Sequence, residues 1–94
     1  MNKNPKMYCW YDKVEKEYLV DSAVFSRRER DVCRGYLKAF ENDKRMNPHE
    51  YELYCMCEID AESGEVTPCN PPRKVDPMQV YEHVEDTKGD VVDE

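Results

Sequence analysis

Between Tyr51 and Ile59 the chain alternates with period two. Tyr51, Leu53, Cys55, Cys57 and Ile59 fall on one side; Glu50, Glu52, Tyr54, Met56 and Glu58 fall on the other. This pattern predicts a strand with one buried face. Near the N-terminus, Met7, Cys9 and Tyr11 alternate with Tyr8 and Trp10, and both sets are apolar. The strand they predict is either covered on both faces or central. Asp12-Lys13-Val14-Glu15-Lys16 is a polar turn, and Glu17-Tyr18-Leu19-Val20 returns as a short strand, so the two form a hairpin.

Helical spacing takes over after Ser26. Val32, Cys33, Tyr36, Leu37 and Phe40 define one apolar face of a helix that runs to about Asn42. Ser26-Arg27-Arg28-Glu29 has the form of a capping box, in which Ser26 accepts from the Glu29 amide and Glu29 reaches back to the Ser26 amide. Gly35 lies mid-helix, where glycine costs up to about 1 kcal/mol relative to alanine, and a close approach of helix to sheet would account for it. Asn42-Asp43 and Asn47-Pro48 end the helix, and Asp60 to Gly64 form a second hairpin loop. Glu65 to Cys69 is the closing edge strand, since Pro68 is tolerated only at an edge or a strand end. Asn70-Pro71-Pro72-Arg73-Lys74 then reads as a breaker.

The fold expected is α+β: a small, mainly antiparallel sheet of three to four strands with one helix packed on one face, in the order β-β-α-β-β, followed by an acidic C-terminal tail. Residues 1–69 form the single domain. Residues 70–94 form the tail, in which Asp76-Pro77 caps a short helix through Tyr81 and Val84. That helix is either a docking peptide for another protein or a cover for the open sheet face.

Composition adjusts this picture in two ways. Aliphatic residues are scarce, so seven Tyr, two Phe and one Trp carry much of the burial, with five Cys and five Met. The formal net charge is −7, which disfavours a protein that simply coats nucleic acid. The charge is uneven. Residues 70–94 carry three cations (Arg73, Lys74, Lys88) against seven anions (Asp76, Glu82, Glu85, Asp86, Asp90, Asp93, Glu94), leaving −4 there and −3 on residues 1–69. No stretch has the length of a transmembrane helix, and no apolar run follows the N-terminal residues, so no membrane association or secretion is expected. Five cysteines in that setting point to free thiols in a reducing cytosol.

Candidate chemistry is sparse. Arg27, Arg30, Arg34 and Lys38 recur at offsets of three and four and line one side of the helix. Arg27 and Arg28 lie in its expected first turn, where positive charge opposes the helix dipole. The stripe either meets phosphates or an acidic partner, or is a solvated face balanced by Glu29, Asp31 and Glu41. Tyr8, Trp10, Tyr18 and Tyr54 either form a stacking platform for single-stranded bases or are core. Cys55 and Cys57 share a strand face, but the paired knuckles of structural zinc are missing, so no metal is expected. His49 and His83 have no nucleophile in a recognisable pattern nearby, and no P-loop or dinucleotide fingerprint is present. The expectation is a non-enzyme without a cofactor.

Taken in order, Tyr11-Asp12, Phe25, Arg34-Gly35-Tyr36, Ala39-Phe40, Asn42-Asp43, Asn47-Pro48-His49-Glu50-Tyr51-Glu52-Leu53-Tyr54, Ile59-Asp60 and Gly64 resemble the small nonstructural protein of gokushovirus-type phages of the Microviridae, whose genomes are circular single-stranded DNA. The resemblance covers residues 7 to 70. It implies an accessory protein in viral DNA replication or single-stranded genome synthesis, located in the cytoplasm of the infected bacterial host. It supplies no catalytic residues. The partner expected is single-stranded DNA, bound weakly through Arg27, Arg30, Arg34 and Lys38. The alternative is a host or phage replication protein, bound through the acidic tail or a strand edge.

Overall fold

The computed structural model describes residues 4–79. In chain order the elements are β1 (Lys6–Asp12), β2 (Glu17–Tyr18), a 3-10 turn (Val20–Ser22), β3 (Val24–Ser26), α1 (Glu29–Asn42), a second 3-10 turn (Pro48–Glu50), β4 (Tyr51–Ile59) and β5 (Val66–Val75). The class is α+β, as expected. The sheet is antiparallel throughout, with β1 and β4 central and β5 at one edge. β2 and β3 share the other edge, pairing with opposite ends of β1 around the first 3-10 turn. β3 is the element that the sequence pattern missed: its three residues are too few to display a period, and Val24 and Phe25 are exposed.

One layer of core lies between α1 and the sheet. Tyr8 from β1, Cys33 and Tyr36 from α1, Leu53 and Cys55 from β4 and Val75 from β5 form its buried centre, with Trp10, Val32, Leu37, Phe40, Tyr51 and Cys69 packed around them. The expected helix face is the observed one. On β4 the contribution narrows to Tyr51, Leu53 and Cys55, because the ladder shifts register after Cys55. Rings supply much of the contact: Trp10 lies 4.6 Å from Tyr36, 5.3 Å from Phe40 and 5.4 Å from Tyr51, centroid to centroid. Two of these pairs are tilted and the Tyr51 pair is edge-on, so none is the face-to-face sandwich that the ring quadrupole disfavours.

Three local expectations are corrected. α1 begins at Glu29, not Ser26, and its N-cap is Arg28, with no side chain capping it. The Ser26 hydroxyl accepts from the Arg28 amide (3.0 Å) and donates to the Arg28 carbonyl (3.1 Å). The Glu29 carboxylate turns instead to the sheet, where it accepts from the Tyr8 hydroxyl (3.1 Å) and from Arg73 (2.8 Å). Charge-assisted bonds at a half-buried site outcompete a capping box at the surface.

Gly35 is exposed, and a Cβ added there would meet nothing within 4 Å, so close packing on the sheet does not explain it.

Residues 70–74 do not break the last strand. Val66, Thr67 and Pro68 pair with Ile59, Glu58 and Cys57; the ladder then resumes with Arg73, Lys74 and Val75 opposite Cys55, Tyr54 and Leu53. Residues 69–72 therefore face Met56 alone, as a wide bulge that contains Pro71 and Pro72 and the cis Asn70–Pro71 bond. Prolines placed where no ladder amide is required leave the strand free to continue. Val75 then packs into the core, only 2% exposed. Past it, residues 77–79 are helical, as the Asp76-Pro77 signal suggests, and Asp76 Oδ1 accepts from the Gln79 amide (3.2 Å). The continuation expected through Tyr81 and Val84 lies outside the described residues.

The β1–β2 and β4–β5 hairpins close with the same loop. Asp12 Oδ1 accepts from the amides of Val14 (2.9 Å) and Glu15 (3.1 Å), and the Lys16 amide donates to the Asp12 carbonyl (2.7 Å). Asp60 repeats each bond with Glu62 (2.9 Å), Ser63 (3.1 Å) and Gly64 (2.7 Å). The fifth residue takes positive φ in each, 62° at Lys16 and 80° at Gly64.

Candidate nucleic-acid interface

Strand alternation divides the aromatic residues between two surfaces. Tyr8 and Trp10 point from β1 toward α1 and belong to the core. Tyr11, from the same strand, is turned the other way. There it meets Tyr18 of β2, directly opposite in the ladder, with centroids 4.8 Å apart. Tyr54 of β4 completes the group at 6.0 Å from Tyr11 and 5.5 Å from Tyr18, both edge-on. All three rings are half-buried. Lys74 of β5 is the ladder partner of Tyr54, while Tyr54 stands opposite Cys9 and Tyr11 opposite Glu52 on the central pair, so Tyr18, Tyr11, Tyr54 and Lys74 form a diagonal row across four strands.

Glu52 organises the charges beside the rings. Its Oε1 accepts from the Tyr54 hydroxyl at 2.7 Å, and its Oε2 lies 3.1 Å from Lys74 Nζ and 3.9 Å from Lys13 Nζ. The Tyr54 bond, then the Lys74 bond, hold the Glu52 carboxyl below its ordinary range. The same bond to Glu52, aided by desolvation, pushes Tyr54 up to about 12. Two lysines around one carboxylate leave a local excess of positive charge, and both lysine side chains are largely exposed.

The basic stripe lies on the other layer. Arg30, Arg34 and Lys38 belong to α1, whereas Arg27 precedes its first turn, and Arg28 caps it in an extended conformation. The expected conflict of Arg27 and Arg28 with the helix dipole is therefore relieved, since the acidic Glu29 and Asp31 occupy the first turn. Arg30 Nε makes a long contact with Asp31 (3.9 Å). Among the described residues, Arg34 and Lys38, both exposed, enter no ion pair. The cations of the helix and the tyrosines of the sheet thus occupy opposite layers rather than one continuous surface.

Of the aromatics named from sequence, Tyr18 and Tyr54 reach the open face, and Tyr8 and Trp10 do not. Tyr11 is the member that pattern reading missed. Its signal was the register of the first hairpin, which sets Tyr11 opposite Tyr18 once the Asp12 loop is recognised. Neither Lys13, in a polar turn, nor Lys74, in a stretch that reads as a breaker, carries a sequence signal for this face. His49 is exposed, and its backbone amide donates to Asn47 Oδ1 (3.0 Å). Among the described residues, no group of three His, Cys, Asp or Glu side chains is arranged to hold a metal ion, and no helix is long and apolar enough to cross a membrane.

The family model described as Phage ORF5 protein matches residues 5–81. The chain belongs to the phage ORF5 family. The matched span takes in the whole sheet, the helix and the tyrosine row, so every feature described above lies inside the phage ORF5 region. No curated protein and no solved structure matches the chain.

Proposed function

We propose that this phage protein is a non-enzymatic, nonstructural accessory protein of a gokushovirus-type phage of the Microviridae. It acts in the cytoplasm of the infected bacterium, in viral DNA replication or single-stranded genome synthesis, by weak contact with single-stranded DNA. The observation that carries this reading is the row of Tyr18, Tyr11 and Tyr54 on the sheet face away from α1, flanked by Lys13 and Lys74. Rings on a sheet face accept unpaired bases of any identity, at about 1–3 kcal/mol per stacked base. The lysines meet the intervening phosphates. Arg27, Arg30, Arg34 and Lys38 offer a second phosphate contact on the helical layer. The net charge of −7 keeps the affinity modest, and the salt dependence comes from the phosphates that these lysines and arginines neutralise.

The test is a fluorescence anisotropy titration of labelled oligonucleotides over a salt series. Single-stranded DNA should bind better than duplex, whose bases are already stacked. A Tyr18→Ala, Tyr54→Ala variant should bind roughly tenfold or more weakly with its salt slope preserved. Arg30→Ala with Arg34→Ala should flatten the slope instead. Lack of oligonucleotide binding at low salt overturns the proposal.

A second reading rests on a different observation. A cleft of about 390 Å³ is lined by Trp10, Val24, Ser26, Asp31, Val32, Gly35 and Tyr36, and Val24, in the short edge strand β3, is itself exposed. An apolar cleft beside a short edge strand fits a protein-interaction module for a host or phage replication factor. Under that reading Val24→Asp abolishes capture of one specific protein and leaves oligonucleotide binding unchanged.

A further inference from the structure

The five cysteines are all free, and Cys9, Cys33, Cys55 and Cys57 are buried. Cys69 is half-exposed and borders the bulge of β5. Its Sγ lies 3.8 Å from Cys55 Sγ, the one thiol–thiol contact among the described residues. The two partners are held very differently. Cys55 is fixed in the ladder on both sides, opposite Tyr8 and opposite Arg73. Cys69 opens the segment 69–72, where that ladder is interrupted, so its backbone is free of paired neighbours on the bulge side. With one thiol fixed and the other beside an interrupted ladder, the approach of the two sulfurs to about 2.05 Å falls to the Cys69 side.

We propose that Cys55 and Cys69 are a reversible disulfide site, closed by exchange with a low-molecular-weight disulfide such as glutathione disulfide. The Cys69 thiolate attacks one sulfur of the small disulfide. An S–S bond forms at Cys69, the original S–S bond breaks, and one small thiolate leaves. Cys55 Sγ then attacks the Cys69 sulfur, forming the protein disulfide and expelling the second small thiolate. The two protons lost from Cys69 and Cys55 pass to the two leaving thiolates. The protein thiols are oxidised by two electrons and the small disulfide is reduced by two.

Attack by Cys55 is the harder step, and Arg73 eases it only in part. Burial and the neighbouring Cys69 push the Cys55 thiol up, while the guanidinium beside it works in the opposite direction. Closing the bond ties the central strand to the edge strand across 14 positions of sequence. It also clamps the half of β5 that carries Arg73, Lys74 and Val75, and so the β5 end of the tyrosine row. Oxidation would thus fix a surface that is otherwise held by three ladder pairs.

The experiment equilibrates the full chain with reduced and oxidised glutathione at pH 8, followed by acid quench, alkylation and non-reducing peptide mapping. The result expected is loss of two of the five alkylatable thiols, a single Cys55–Cys69 cross-link, and a Tm raised by roughly 5–10 °C, reversed by dithiothreitol. Cys55 is fully buried, so its serine variant carries a folding cost; the deciding variant is Cys69→Ser, at a half-exposed position. It should keep all four remaining thiols reduced under the same poise. Cross-links between other cysteines, a mixed adduct on Cys69 that never closes, or a Cys69→Ser protein that oxidises like the parent would each overturn the proposal.

Discussion

Arg73 Nη2 donates to Glu29 Oε1 across 2.8 Å, tying the last strand to the first turn of α1, 44 positions earlier in the chain. The same oxygen accepts from the Tyr8 hydroxyl, so one carboxylate joins β1, α1 and β5. Tyr8 is 2% exposed, and Glu29→Ala would leave its hydroxyl without that partner. The expected loss is about 2 kcal/mol, or roughly 10 °C in Tm. Glu29→Gln, which keeps a hydrogen-bond acceptor, should cost about 1 kcal/mol or less, because both charged groups are partly exposed and screened.

Glu29 also sets a pH dependence. Desolvation raises its pKa, but the Arg73 hydrogen bond, the Arg73 charge and the Tyr8 hydroxyl together outweigh that, leaving the carboxyl below its ordinary 4.5. A depressed folded-state pKa stabilises fully above the unfolded value and loses that contribution as pH falls through the folded one. The stability difference between the parent and Glu29→Gln, followed by thermal melts, should be constant above about pH 5 and shrink steadily below 4.5. A difference that is unchanged at pH 3 would refute this assignment.

Gly35 is the clearest place to gain stability. Its missing side chain faces open space, and its backbone is ordinary helix. Gly35→Ala should raise stability by about 0.5–1 kcal/mol, read as a higher Tm or urea midpoint. Close packing against the sheet would have produced the opposite sign. Gly35 lines the apolar cleft, so the same substitution narrows it. Under the protein-docking reading, stability and partner binding then move in opposite directions.

The paired loops make a matched test. Gly64 and Lys16 occupy equivalent positions with positive φ, one at no steric cost and one against it. Gly64→Ala should destabilise by about 1–2 kcal/mol. Lys16→Gly should be neutral to slightly stabilising, within about 0.5 kcal/mol, since relief of the left-handed strain offsets the entropy that glycine loses. Denaturant midpoints of the two variants should shift in opposite directions or leave Lys16→Gly unmoved.

Strong periodicity made much of this fold legible. Tyr51 to Ile59 and Val32 to Phe40 announce their buried faces, and α1 and β4 run where those patterns place them. Failures cluster where a tertiary contact overrides a local rule. Glu29 has the spacing of a capping residue, yet a distant arginine and a buried tyrosine claim its carboxylate. Pro71 and Pro72 look like the end of a strand, yet a bulge absorbs them and Val75 returns to the core. The tyrosine row was half visible: Tyr18 and Tyr54 stand out as aromatics, but which face they share depends on hairpin register, and Tyr11 joins them only through that register. Arg30, Arg34 and Lys38 lie on α1 as the helical pattern places them, whereas Arg27 falls before the first turn; the separation of these cations from the rings is a property of the two-layer packing.

The Tyr54–Glu52 bond separates the ring's role from that of its hydroxyl. Tyr54 ionises near 12 because its hydroxyl donates a hydrogen bond to Glu52 Oε1 and burial adds to the effect. Tyr36 also titrates near 12, but there burial is the main cause and Glu52 the lesser one. An ultraviolet difference titration of Glu52→Gln against the parent should therefore bring the late phenolate transition of Tyr54 down toward 10, with a much smaller movement at Tyr36. Since a raised folded-state pKa stabilises fully below the unfolded value and loses that contribution as pH rises through the folded one, the stability that this bond contributes should fade as pH climbs from 10 to 12. Stacking needs the ring and not the hydroxyl. Tyr54→Phe should thus retain oligonucleotide affinity within about twofold, whereas Tyr54→Ala loses roughly tenfold. Equal losses in both variants would move the source of affinity from the aromatic face to the Glu52–lysine cluster beside it.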